Sequence, residues 1–246
     1  MSFSEELNGL MDCPTPLVRR FMALLEPVDD ARLEEMAQES RRLTRLHFGR
    51  TIRLFAPIYL SNECINNCKY CGFSRDNPII RTTLTVDEVV QEARYLHGLG
   101  LRSILLVAGE HPKFVSDGYM QECLDALHSF IPSLGLEIGP LPDDRYAEIV
   151  RHGAEQLAVY QETYNREVYE TLHTAGMKKN FNWRLDCPER AYQGGFRRIR
   201  RGGGRPWHLP SIWITCRSIA GNPRFPWRFR ACVPTPGITS MNLIRT

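Results

Sequence analysis

Nowhere in the 246 residues does an apolar run approach the roughly 18–20 residues needed to span a bilayer. The opening MSFSEELNGLMD lacks the basic region and apolar core of a secretory signal, so a cytoplasmic, reducing setting is expected. Eighteen Gly and 16 Pro are too few for a collagen-like chain, and 43% hydrophobic residues argue against intrinsic disorder. Eight Cys are sparse for a disulfide scaffold; in a reducing compartment they read as metal ligands or free thiols. Carboxylates are missing altogether from residues 200–246, which hold eight Arg and no Lys. Residues 1–199 therefore carry 23 basic and 28 acidic side chains, and the net charge of +3 gives no ground for nucleic-acid binding.

What the sequence does contain, from Ser4 to Phe196, is the pattern of a folded α/β protein. Helical periodicity opens it at Ser4–Met11, Pro16–Leu25 and Asp29–His47. Apolar runs then predict strands at Ile52–Tyr59, Ser103–Val107, Leu136–Ile138 and Gln156–Tyr160, with a fifth opening at Phe196. Helices are expected between them at Val86–Leu99, Asp117–Phe130, Asp143–His152, Arg166–His173 and Pro188–Tyr192. Thr85 and Glu88 have capping-box spacing, and Gly98 and Gly100 sit where that helix should end. Repeated strand–helix units predict a parallel sheet, open or closed into a barrel, with its chemistry at the C-terminal strand ends.

After Ile199 the pattern stops. Residues 200–246 hold six Pro, five Gly, three of the four Trp and only two Leu. A disordered basic tail and an anion-binding appendage are open readings. The preferred one is a frameshift in a G+C-rich gene, whose misread codons favour Arg, Gly, Pro and Trp.

The chemical signal is Cys64-Ile-Asn-Asn-Cys68-Lys-Tyr-Cys71, just after the first predicted strand. Three thiolates at this spacing can each ligate one iron of a four-iron cubane, leaving the fourth iron open to a chelating cofactor. A structural zinc site is the alternative. It would want a fourth ligand, and His97 and His111 are too isolated to supply one.

CxxxCxxC with an aromatic residue before the last Cys resembles the cluster motif of the radical SAM superfamily. That resemblance implies a 4Fe-4S cluster on Cys64, Cys68 and Cys71, with S-adenosylmethionine (SAM) on the open iron. Leu105–Glu110 is similar to the superfamily's Gly-Gly-Glu segment, with Ala108 for the first Gly; Gly109 and Glu110 would meet the methionyl ammonium. By the same likeness Tyr70 lies against the adenine, Glu162 contacts the ribose hydroxyls and Arg184 pairs with the SAM carboxylate. Gln161, Thr163 and Glu137 are expected to face the barrel mouth without individual roles.

Four segments, LSNECINNCKYCGFSRDN, LLVAGEHPK, LEIGPLPDDRYAEIVRHGAEQLAVYQETYN and NWRLDCPERAYQGGFRRI, together resemble the 2-iminoacetate synthase family of tyrosine lyases from about residue 15 to 199. The implied activity is scission of the tyrosine Cα–Cβ bond to dehydroglycine and p-cresol for the thiamine thiazole. Thiazole synthase would be a partner, and flavodoxin or ferredoxin the electron donor. The implied fold is a partial (β/α) barrel of the radical SAM type, with an N-terminal helical extension and an irregular C-terminal tail. Its divisions would be residues 1–50, 51–199 and 200–246.

Two departures from the family are expected to matter. HTAGMKKNFNW differs at Thr174, Met177 and Asn182, in what reads as a loop closing the site. The family's last three strand–helix units are not recognisable after residue 199, so activity is expected to be impaired. The rivals are the hydrogenase-maturation tyrosine lyase, biotin synthase and, in another class, a zinc-stabilised binding module. The first carries a second cluster, whose motif Cys216 and Cys232 are too far apart to resemble.

Overall fold

A computed structural model describes residues 20, 23–24, 26–112, 118–163 and 165–200. The expected helix at Ser4–Met11, most of that at Pro16–Leu25, and residues 201–246 lie outside these. Described residues up to Leu54 belong to one compact unit and those from Phe55 to another.

The first unit contributes helix α1, Asp30–Phe48. The Asp29 carboxylate caps it by accepting from the Arg32 N–H at 2.8 Å. Asp30 in the first turn and Arg45 and His47 in the last complement the helix dipole, and Gly49 ends it at φ 68°.

The second unit runs β1 (Ala56–Ser61), β2 (Asn67–Cys68), α2 (Val86–Gly98), β3 (Ser103–Ala108), α3 (Tyr119–His128), β4 (Ser133–Glu137), α4 (Asp143–Arg151) and β5 (Ala154–Ala158). There follow α5 (Arg166–Leu172), β6 (His173–Ala175), a 3-10 turn (Met177–Lys179), α6 (Phe181–Leu185), α7 (Cys187–Gln193) and β7 (Arg198–Arg200). Five strands pair in parallel in the order β1-β3-β4-β5-β7. Each new strand thus joins the same growing edge, the winding of a barrel wall rather than of a doubly wound sheet.

One sheet face is apolar. Ile58, Leu106 and Leu136 lie in register across β1, β3 and β4, and Leu136 continues to Leu157. All are buried against Val89 and Ala93 of α2, Leu124 and Leu127 of α3, Tyr146 and Ile149 of α4, and Ala191 of α7. The alternate positions carry Tyr59, Leu105, Val107, Gly135, Glu137 and Gln156, a face of mixed apolar, small and polar groups. The Thr85 capping box closes in both directions, the hydroxyl accepting from the Glu88 N–H and the Glu88 carboxylate from the Thr85 N–H.

Several expected boundaries move. The first strand begins at Ala56, not Ile52; Ile52 and Leu54 are apolar but exposed, so the apolar run outlasts the paired segment. β4 starts three residues early, because pairing with Ser103–Val107 overrides the weak strand preference of Ser133 and Gly135. β5 starts two residues early, Ala154 pairing with Leu134 of β4 before the register shifts past Glu155. The last strand opens at Arg198, while Phe196 packs edge-on to Tyr146 in the core. The largest change concerns His173–Trp183, expected to be a loop. β6 pairs antiparallel with β2 of the cysteine loop, and α6 follows at once. No local periodicity announces a three-residue strand whose partner lies about a hundred residues away.

Candidate functional site

The C-terminal end of β1 delivers the cysteine loop. Arg81 organises it: Nη1 donates to the carbonyls of Asn62 and Phe73 at 2.8 and 2.9 Å, and Nη2 to those of Ser74 and Asn77 at 2.7 and 3.2 Å. The planar five-donor guanidinium suits such a set of acceptors. Ser74, itself buried, accepts from the Cys68 N–H at 2.8 Å and donates to the Asn67 amide oxygen at 2.7 Å. Asn77 donates to the carbonyls of Cys71 and Gly72, both at 3.0 Å.

Cys64, Cys68 and Cys71 are free thiols, with Cys68 buried and the other two half-buried. Burial pushes the Cys68 thiol up to about 11 and raises Cys71, while the nearby Lys178 ammonium draws both down. A bound cation would favour the thiolates further.

Gly109 and Glu110 follow β3. A Cβ at Gly109 would stand 2.1 Å from the Glu63 carbonyl oxygen, so only glycine lets the strand end touch the cysteine loop. The Gly109 N–H donates to the Ser61 carbonyl at 2.9 Å, and the Ile65 N–H to the Glu110 carbonyl at 2.9 Å. The Glu110 carboxylate accepts from the Asn66 amide at 2.7 Å, inside the same loop.

Tyr70 turns its hydroxyl to His173 Nε2 at 2.6 Å. His173 Nδ1 faces the Tyr169 carbonyl at 2.8 Å, which can only accept, so Nδ1 carries the proton and Nε2 accepts from Tyr70. Burial holds the His173 imidazole down at about 4 and lifts the Tyr70 phenol well above its usual range.

Glu162 lies in the segment after β5 with φ 68°, a left-handed backbone uncommon outside glycine. Its carboxylate pairs with Lys178 Nζ at 2.7 Å, and that ammonium stands 5.5 Å from the centre of the Tyr70 ring. Arg184, on α6, is buried; its Nε donates to the Tyr160 carbonyl at 2.6 Å, whereas Nη1 meets no acceptor. The oxygen of the buried Gln161 amide is likewise unpartnered. Burial and the Glu162 charge raise the Glu137 carboxyl.

The structure therefore gathers Cys64, Cys68, Cys71, Tyr70, Gly109, Glu110, Glu162 and Arg184 around the ends of β1, β3 and β5. Sequence reasoning missed Asn66, Arg81, His173 and Lys178, which hold them together. Asn66 sat in plain view between two of the cysteines; the others had no local signal.

The donor set fits the expected cofactors. A four-iron cubane asks each of the three thiolates to take its own iron rather than all three to meet on one ion. The unpartnered Arg184 Nη1 offers a buried guanidinium N–H to an anion such as a carboxylate.

Comparison with known proteins agrees with this geometry. The chain is 41% identical over 219 residues to 2-iminoacetate synthase from Escherichia coli (strain K12), covering 87% of this chain and 58% of that protein. It is 29% identical over 175 residues to 3-methylornithine synthase from Methanosarcina acetivorans, covering 69% and 49%. Among solved structures, the FeFe-hydrogenase maturase HydG from Carboxydothermus hydrogenoformans superposes with a TM-score of 0.71 at 33% identity, over 81% of this chain and 47% of that one. The chain thus spans less than three-fifths of the length of these relatives. The 87% share is wider than the stretch from about residue 15 to 199 over which the quoted segments carry the resemblance. A family model described as the radical SAM superfamily matches residues 58–206, from within β1 through the cysteine loop to β7, and the chain belongs to that superfamily.

Proposed function

We propose that the chain forms the cluster-bearing part of a carbon–carbon lyase that cleaves the tyrosine Cα–Cβ bond, giving dehydroglycine (2-iminoacetate) and p-cresol for the thiamine thiazole. The observation that carries this reading is the 41% identity to a 2-iminoacetate synthase over 219 residues. Members of the superfamily use a 4Fe-4S cluster and SAM. Bound together and given one electron by a reductant, these would split SAM into methionine and a 5′-deoxyadenosyl radical able to take a hydrogen atom from a substrate.

The chain's own residues bind and orient. Cys64, Cys68 and Cys71 would hold three irons from a loop that Arg81 and Ser74 keep in shape. Glu110 would take the methionyl ammonium, Arg184 the carboxylate and Glu162 the ribose hydroxyls, with Tyr70 beside the adenine. Lys178 would release Glu162 when the ribose arrives, since one carboxylate oxygen now accepts from its ammonium. Residues 1–50, 51–199 and 200–246 are proposed as helical extension, partial barrel and tail. Thiazole synthase as partner, flavodoxin or ferredoxin as donor and a cytoplasmic setting belong to the same reading. Among the described residues no helix is long and apolar enough to cross a membrane.

The test is an anaerobic assay of the full chain, reconstituted with iron and sulfide and supplied with SAM, dithionite and tyrosine. Both 5′-deoxyadenosine and p-cresol are expected, p-cresol in lowered yield because the family's last three strand–helix units are not recognisable, and both should vanish in Cys68→Ala. A four-iron cluster that yields deoxyadenosine without p-cresol would overturn the tyrosine lyase reading. The likeness to HydG favours a second reading, the hydrogenase-maturation lyase; eight rather than four irons per chain would point to it.

A further inference from the structure

Asn66 stands at the junction of three segments distant in sequence, and nearly all of its side chain is buried. Its Nδ2 donates to Glu110 Oε2 at 2.7 Å and approaches Cys64 Sγ at 3.6 Å; its Oδ1 accepts from the Lys178 N–H at 2.8 Å. The chemistry dictates this orientation of the amide. A backbone N–H needs an acceptor, and an ionised carboxylate can only accept, so oxygen must face Lys178 and nitrogen Glu110. The 3-10 turn comes close enough only because residue 176 is glycine. At φ 77°, a Cβ there would stand 2.2 Å from the Asn66 Oδ1.

We propose that Asn66 is a positioning residue, sharing its two amide protons between the Glu110 carboxylate and the Cys64 sulfur. The inference rests on the cofactor assignment above. A neutral amide is what the position demands. It donates to a carboxylate and a thiolate together, and still anchors the turn that carries Lys178. Aspartate would keep the size and the anchor but remove both donors and add a charge between two anions. An N–H···S bond stabilises negative charge on the cluster sulfur, so its loss makes the reduced cluster harder to form. Loss of the bond to Glu110 frees that carboxylate from the place where it would meet the methionyl ammonium.

The experiment compares the reconstituted full chain with Asn66→Asp and Asn66→Ala. The readouts are iron and sulfide content, the cluster midpoint potential from an EPR-monitored redox titration, and SAM affinity by isothermal titration. The potential is expected to fall in both variants, and SAM to bind at least about tenfold more weakly, the scale of one hydrogen bond to a charged group. A purely structural role would lower the melting temperature without moving the potential. If Asn66→Asp does not fold, as judged by circular dichroism, Asn66→Ala decides on the same readouts. Loaded variants with wild-type potential and wild-type SAM affinity would overturn the role of Asn66 alone. A wild-type chain that takes up no iron and sulfide would overturn the cofactor assignment beneath it.

Discussion

The α-carbon of Gly109 rests against the carbonyl of Glu63, so that a methyl group there would come within 2.1 Å of that oxygen. This contact, with the hydrogen bond from the Gly109 N–H to Ser61, presses the end of β3 onto the start of the cysteine loop. Gly109→Ala must push backbone from backbone, with no flexible side chain to absorb the displacement. We expect it to destabilise the chain by about 1–3 kcal/mol, the range for overpacking a close contact. Urea unfolding would measure this; an unchanged midpoint would show that the loop yields freely.

Arg81 gives a second prediction. Its guanidinium reaches carbonyls spread from Asn62 to Asn77, which the ammonium of lysine cannot span at once. In Arg81→Lys, amide hydrogen exchange should accelerate about tenfold or more across residues 62–77. Exchange in β3 and β4, whose pairing does not involve Arg81, should stay as in the wild type. Uniform acceleration would mean that Arg81 supports the whole fold instead.

The pair Tyr70 and His173 predicts a pH effect. The fold holds His173 neutral, at about 4, against an ordinary value near 6.5. Because the folded value is depressed, protons bind the unfolded chain first. Stability from this group is complete above pH 6.5 and is lost as pH falls toward 4, by at most about 1.4 kcal/mol per pH unit. The unfolding free energies of wild type and His173→Gln, measured from pH 7.5 to 4, should converge toward the acid end. Parallel curves would show that His173 does not titrate with unfolding.

Lys178 supplies the last prediction. Its ammonium is the cation beside both Cys68 and Cys71 and eases their thiols downward. In the metal-free chain, Lys178→Met should therefore slow alkylation of these cysteines at pH 8, read by mass spectrometry of the Cys68–Cys71 peptide. A rate equal to the wild type would remove Lys178 from their electrostatic environment.

Much of this molecule follows from short-range pattern. The Thr85–Glu88 capping box, the starts of α2, α4 and α5, and the cysteine loop could be read in stretches of a dozen residues or fewer. Strand limits were read less well. Ser133, Gly135, Ala154 and Glu155 favour a strand weakly by themselves and are drafted into one by their neighbours across the sheet. The β2–β6 ribbon could not be read at all. Its two strands contribute two and three residues, too few for any periodicity.

The same division runs through the candidate site. The sequence by itself determined which groups are available: three thiols spaced for a cluster, a Gly-Glu pair one strand–helix unit later, and a glutamate and an arginine beyond. Only the tertiary structure decided what restrains them. Asn66 meets Glu110 and Lys178 across 44 and 112 residues, and Tyr70 meets His173 across 103. A parallel sheet brings every strand's C-terminal end to one edge, whatever the length of chain between them. Spacing within a loop can be set by local sequence, whereas the partner of a buried amide or phenol is chosen by which loops that edge places side by side.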